Sequence, residues 1–142
     1  SVLDEGGFFD AGPDRVGGDE LTLNQLENDR IRSFGEPRIH FVVNCASAGC
    51  PRLLARAPTA ARLEEMLDEG SREFVRRTTV VDHESRSVSV SQIFEWFAGD
   101  FESSGGVRAF VASYLDARDA ALVLDGSVSI THFEYDWSTN AR

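Results

Sequence analysis

Apolar positions along the chain recur at helical spacing in some stretches and in short β-branched runs in others, with glycine, proline and aspartate as punctuation. The first twenty residues are rich in Gly and Asp, with Phe8-Phe9 as their one apolar anchor, and read as a loop or weak strand before Gly17-Gly18. Thr22, with Gln25 three positions later, has the form of a capping box. Leu23, Leu26 and Ile31 follow at roughly helical spacing, so a helix is predicted over 23–33, ended by Gly35 and Pro37. The β-branched and aromatic run Arg38-Ile39-His40-Phe41-Val42-Val43-Asn44 then predicts a buried strand. Alternation puts Ile39, Phe41 and Val43 on one face and His40, Val42 and Asn44 on the other, with about 13 Å between the side chains at 40 and 44.

The stretch from Cys45 to Pro51 is small and flexible, a loop at a strand end where sites are commonly built. Thr59 is placed to cap a helix whose core face carries Leu63, Met66, Leu67 and Phe74. Thr78 to Asp82 and Arg86 to Val90 flank His83-Glu84-Ser85 as a β-hairpin. Ser91 caps a short aromatic helix, Ile93 to Phe97, that runs toward Asp100-Phe101. Beyond Gly105-Gly106 a helix is predicted through Val107, Phe110, Val111 and Leu115. Leu122-Val123-Leu124, the turn at Asp125-Gly126 and Val128 to Tyr135 read as a second hairpin. No internal repeat or low-complexity linker interrupts the pattern. The fold class expected is α+β, a single domain over 21–142 with a mostly antiparallel sheet and three to four helices.

Composition narrows the function classes. A chain of 142 residues that is 42% hydrophobic has room for one core, and its ten Phe, two Trp and two Tyr exclude a disordered segment. No apolar run approaches the roughly 20 residues that span a bilayer, so membrane insertion is not expected. The formal charge of −10 would repel a phosphate backbone, which argues against nucleic acid as a partner. All 14 cations are Arg, so no Schiff-base, lysine-nucleophile or P-loop-lysine chemistry is available. The first residues lack the basic and apolar regions of a signal peptide, and without an initiator Met the chain reads as processed or truncated.

The densest chemistry is His40-x3-Asn44-Cys45-x4-Cys50-Pro51, and three readings of it stand side by side. In a structural reading, Cys45 and Cys50 are packed small hydrophobes or a local disulfide, and His40 is a hydrogen-bonded core histidine. In a nucleophile reading, one Cys is activated by a neighbouring His that Asn44 or a carboxylate orients, and backbone N–H groups around Ala46, Ser47 and Gly49 cup an oxyanion. In a redox or metal reading, the C-x4-C spacing departs from thioredoxin-like sites, and only His40, His83 and His132 could complete a zinc tetrahedron, so no metal is assigned. Glu27, at the edge of the first helix's apolar face, is either a solvated charge or a carboxylate that orients a histidine or acts as a base. Asp136 reads as a turn anchor for Trp137. The rings of Phe94, Trp96, Phe97 and Phe101 read as core in preference to a ligand cage.

Five landmarks in order carry a family resemblance. They are Leu21-Thr22-Leu23-Asn24-Gln25-Leu26-Glu27, the run from Pro37 to Pro51, Ser71-Arg72-Glu73-Phe74, the run from Ser91 to Phe101, and Tyr135-Asp136-Trp137-Ser138-Thr139-Asn140. From about Leu21 to Asn140 the chain resembles the family catalogued as domain of unknown function 547. The resemblance implies a domain with no assigned biochemical activity, found in bacteria and eukaryotes, whose bacterial relatives are often exported to the periplasm or beyond. Carried over position by position, its motif residues are Glu27, His40, Asn44, Cys45, Ser47, Cys50 and Pro51. Similar proteins usually have His where this chain has Asn28, and Ser where it has Gly49. Their opening helix, with a Trp-Ile-Asn and then a Tyr-Asn pattern, is not matched, which implies a domain lacking its first helices.

The expectation is therefore a thiol-dependent site, of cysteine-hydrolase or acyl-transfer type, at the loop 44–51. Cys45, Cys50, His40, Asn44 and Glu27 are its catalytic candidates, and Ser47 and Pro51 its binding candidates. No cofactor is called for, and the partner expected is a small molecule or peptide. The alternative is a binding module whose loop is locked by a Cys45–Cys50 disulfide.

Overall fold

The computed structural model describes residues 7–140. The described part of the first twenty residues forms a two-stranded antiparallel hairpin, β1 (Asp14–Val16) and β2 (Asp19–Leu21), registered Asp14 to Leu21 and Val16 to Asp19. Gly17 and Gly18 join its strands with φ of 63° and 99°, the left-handed pair that a two-residue hairpin turn demands. Residues 1–6 lie outside the described part.

The predicted capping box is present. The Gln25 N–H donates to Thr22 Oγ1 at 3.1 Å, and the Thr22 N–H donates to Gln25 Oε1 at 2.9 Å. Behind it α1 (Leu23–Gln25) continues as a π-helical stretch, Leu26–Ile31, and a 3-10 turn, Arg32–Phe34, and Gly35 ends the run with φ of 67°.

The strand expected over 38–44 does not form. Pro37–Phe41 is a 3-10 helix instead, followed by irregular chain. Local start signals outweigh β propensity here: Pro37 presets a helical φ, and the Glu36 carboxylate accepts the Arg38 N–H at 3.0 Å and grips its guanidinium at 2.7 and 2.8 Å. Pro37, Ile39, His40 and Phe41 are buried together, so the two-face alternation and the 13 Å spacing of a strand do not apply.

The long helix α2 (Leu63–Thr78) buries Met66, Leu67, Gly70, Ser71, Phe74, Val75 and Thr78 in one stripe, while Leu63 is exposed. Its N-cap is Arg62, whose N–H donates to the carbonyl of Thr59, so the expected cap sits one turn too early. A Cβ on Gly70 would stand 2.8 Å from the carbonyl oxygen of Phe41, so this glycine lets α2 press directly on the 3-10 turn that carries His40.

The hairpin β3 (Val80–Asp82) and β4 (Ser87–Ser91) forms as expected. The Ile93 N–H donates to Ser91 Oγ at 3.3 Å ahead of α3 (Ile93–Trp96), and a 3-10 helix, Ala98–Ser104, leads to α4 (Gly106–Ala112). The second hairpin is replaced by α5 (Ala117–Leu124) and β5 (Ile130–Phe133). Asp116 Oδ1 accepts the N–H groups of Arg118 and Asp119 and starts α5, so Leu122-Val123-Leu124 forms a helix end and not a strand. The Arg108 guanidinium takes the carbonyls of Val123, Asp125 and Val128, which turns the chain so that β5 joins β4 in parallel. With two of the three strand pairings antiparallel, the fold is α+β.

Phe41, Phe74, Phe94, Phe101 and Phe110 fill the centre of the core, with Val75, Val88, Val90, Val111 and Val123 fully buried around them. The ring of Phe41 lies 5.0 Å from Phe74, 5.6 Å from Phe94 and 5.6 Å from Phe110, centroid to centroid, the range in which aromatic pairs attract. Among the described residues no helix is long and apolar enough to cross a membrane.

Candidate functional site

The chain from Cys45 to Cys50 is held in shape at both ends. Asn44 Nδ2 donates to the Pro51 carbonyl at 2.5 Å, and Asn44 Oδ1 accepts the Ala46 N–H at 2.8 Å, so its amide clasps the loop across its neck. Ala46 is forced to φ of 63°, a conformation that costs an L-residue roughly 1 kcal/mol. The segment Asp136 to Asn140 runs alongside. The N–H groups of Ala48 and Gly49 donate to Ser138 and Asp136, and Asn140 donates back to Ala46. Asp136 Oδ1 accepts the Ser138 N–H at 2.9 Å, the turn-anchoring role expected of it.

This zipper corrects one expectation. The N–H groups of Ala46 and Gly49 are spent on Asn44 and Asp136 and that of Ser47 on the Cys45 sulfur, so the loop offers no cup of free donors for an oxyanion. Gly49 is also sterically required, because a Cβ there would meet Cε2 and Cζ of Tyr135 at 2.9 Å.

The sulfurs face each other at 2.9 Å, and both cysteines are free thiols, not a disulfide. Cys45 Sγ also lies 3.1 Å from Ser47 Oγ and 3.6 Å from Tyr135 Oη, and those two hydroxyls are 2.8 Å apart. The Cys45 N–H donates to Cys50 Sγ at 2.9 Å. Hydrogen bonds from the Cys50 thiol first, and then from Ser47 and Tyr135, hold the Cys45 thiol below its ordinary pKa against the opposing effect of burial. The Cys50 thiol, left as the donor and itself buried, is pushed up, and burial pushes the Tyr135 phenol up as well.

His40 is buried, and its Nε2 lies 2.8 Å from Asp100 Oδ2. Because an ionised carboxylate only accepts, Nε2 carries the hydrogen and Nδ1 is the proton acceptor. Arg32 holds Asp100 in a fork, Nε to Oδ2 at 2.7 Å and Nη2 to Oδ1 at 2.9 Å. Arg32 is steadied in turn by Asn28 Oδ1 at 2.8 Å. The imidazole stacks on Phe97 with ring centres 4.1 Å apart, and the Arg32 guanidinium lies over the same ring at 5.0 Å. Burial lowers the His40 pKa more than Asp100 raises it, so the ring is neutral near pH 7. The Arg32 hydrogen bond, ahead of that from His40, lowers the Asp100 pKa.

Glu27, His40, Cys45, Cys50 and Pro51 line one cavity of about 280 Å³, with the rings of Phe9, Trp96, Phe97, Tyr135 and Trp137 forming much of the remaining wall. Glu27 is half-buried and has no ion-pair partner within 4.0 Å among the described residues, and burial raises its pKa. Asn44 does not line the cavity, and Ser47 lies behind Cys45, fully buried. Trp96, Tyr135 and Trp137 pack on one another, with ring centres 4.6 to 5.5 Å apart. Of the four rings assigned to the core from sequence, Phe94 and Phe101 are buried there, whereas Trp96 and Phe97 face the cavity.

Sequence reasoning missed Arg32, Tyr135 and Trp137 as neighbours of the loop, and it gave Asp100 no role beside His40. Their separations from their partners run to 60 residues for His40 and Asp100 and 90 for Cys45 and Tyr135, and no local pattern reports such contacts. His83 and His132 lie elsewhere, the first at 2.8 Å from Asp119 and the second at 3.9 Å from Glu95. Among the described residues no group of three His, Cys, Asp or Glu side chains is disposed to hold a metal ion.

The model of the family described as "Protein of unknown function, DUF547" matches residues 7–75, the family that the landmarks resemble. The matched segment holds Glu27, His40, Asn44, Cys45, Ser47, Cys50 and Pro51, while Trp96, Asp100, Tyr135 and Trp137 lie beyond it. No curated protein and no solved structure matches the chain.

Proposed function

We propose, for this chain carrying the signature of an uncharacterised family, that the cavity is a thiol-dependent catalytic site of cysteine-hydrolase or acyl-transfer type with Cys45 as nucleophile. One observation carries the reading: Cys45 Sγ lines the cavity with the Cys50 thiol and the Ser47 and Tyr135 hydroxyls 2.9, 3.1 and 3.6 Å away, each able to donate to it once it is ionised. Donors of that kind stabilise the thiolate, which is the nucleophilic form.

In the first half-reaction the Cys45 thiolate forms a bond to an acyl carbon, the bond to the leaving group breaks, and that group takes a proton from solvent water, leaving hydroxide. In the second, water or an acceptor alcohol or amine adds to the thioester and gives its proton to Nδ1 of His40. The carbon–sulfur bond then breaks, and the proton passes from His40 to the hydroxide left in solvent by the first half-reaction, which restores the starting state. Asp100 fixes the imidazole tautomer, and Arg32 holds Asp100 in place. Ser47 and Tyr135 support the sulfur and do not touch the acyl group.

Peptide-mapped iodoacetamide labelling tests the reading. Cys45 is expected to react quickly near neutral pH and Cys50 slowly, and a chromogenic thioester or ester should be turned over by the wild type and not by Cys45→Ser. Equal, slow labelling of both thiols would overturn it.

A further inference from the structure

The charge of the cavity lining is one-sided. The protein has 14 Arg and no Lys, yet among the described residues none of the side chains around this cavity is an arginine. Arg32, the nearest cation to the His40 dyad, is tied to Asp100 and Asn28. Among the described residues the ionisable groups that face the cavity are Glu27, the two thiols, the Tyr135 phenol and the neutral His40, so whatever charge they bear near pH 7 is negative. The rest of the wall is largely aromatic, with Trp96, Phe97, Tyr135 and Trp137 offering ring faces or edges to the occupant.

An anionic substrate would be desolvated here without a counter-charge, which is costly, whereas a weakly hydrated cation gains from both the carboxylate and the rings. We infer that the substrate of this site is recognised through a cationic group, a protonated or quaternary ammonium seated between Glu27 and the rings of Trp96 and Trp137. The inference rests on the thiol-dependent reading of the same cavity and names the substrate class for it: acyl donors carrying an ammonium group close to the scissile bond. It excludes phosphorylated and carboxylate-bearing groups from the cavity itself.

The molecule carries its own reporter. Its two tryptophans, Trp96 and Trp137, both line this cavity, so intrinsic tryptophan fluorescence reports on the site alone. The full chain is titrated with choline and with 3,3-dimethylbutan-1-ol, which has the same shape without the charge, at matched ionic strength. Choline is expected to give a saturable change at a concentration on the order of tenfold lower than the alcohol. Glu27→Gln should remove most of that preference. Trp96→Phe, at an exposed position and so safe for folding, should weaken choline about threefold with Trp137 still reporting. Equal binding of choline and the alcohol, no saturable change with choline, or an undiminished preference in Glu27→Gln would each overturn the inference. Alkylation of Cys45 in the wild type, measured beside the choline titration, separates the two readings. Choline preference retained in a protein whose Cys45 proves unreactive sinks the thiol chemistry and leaves the cation site standing. Rapid alkylation of Cys45 without choline preference sinks only the cation site.

Discussion

Replacing Cys50 by alanine removes the strongest of the four hydrogen bonds that acidify Cys45 and leaves a single thiol to be followed. A hydrogen bond to a charged group contributes about 1.5–3 kcal/mol, and a sulfur donor lies at the weak end of that range. At about 1.36 kcal/mol per pH unit, its loss raises the Cys45 ionisation midpoint by about one unit. The assay is the pH dependence of the alkylation rate with substoichiometric iodoacetamide, whose midpoint is that of the thiolate. Cys50→Ser restores both a donor to Cys45 Sγ and an acceptor for the Cys45 N–H, and should return most of the shift. Ser47→Ala should move the midpoint less than Cys50→Ala, and Tyr135→Phe least, in the order of their distances of 2.9, 3.1 and 3.6 Å. His40→Ala should move it hardly at all, because the neutral imidazole is not among the groups that lower it. An unchanged midpoint in Cys50→Ala, or a larger shift in His40→Ala than in Cys50→Ala, would refute the account of how this thiol is activated.

Two further outcomes follow from the scaffold. Gly70→Ala gains about 1 kcal/mol of helix propensity, but its Cβ would stand 2.8 Å from a backbone oxygen that can move only with the whole 3-10 turn, at a cost of about 1–3 kcal/mol. The expected net is a loss of roughly 1 kcal/mol, or about 4 °C in Tm, whereas Gly99→Ala, with open space around it, should not lose stability; a Gly70→Ala protein more stable than wild type would contradict the close approach. The His40 pKa is lowered in the folded state, so the unfolded chain binds more protons below pH 6.5, and stability from this group is present above that value and lost as pH falls. Urea midpoints at pH 7.5 and 5.0 should therefore fall more steeply with acid for the wild type than for His40→Gln, and parallel curves would show that the ring is not buried neutral.

What the sequence by itself determined was what neighbouring residues decide between themselves. The Thr22–Gln25 box, the stripe of α2, the β3–β4 hairpin and the closeness of His40, Cys45 and Cys50 were all readable, because each rests on spacings of two to ten residues. Where local signals conflicted, propensity misled. Pro37 and the Glu36 cap converted a β-branched run into a 3-10 turn, and Asp116 started a helix through residues that had read as a strand. The tertiary structure alone decided what surrounds the thiols. Asp100 reaches His40 from 60 residues away and is itself held by Arg32, and Tyr135, in a segment zipped to the cysteine loop, fills the space that Gly49 leaves open. Cys50 and Ser47, which donate to Cys45, come from the loop itself, and the fold adds the Tyr135 phenol from 90 residues away. Burial and charge at a site are sums over everything packed against it, and most of those neighbours are distant in sequence.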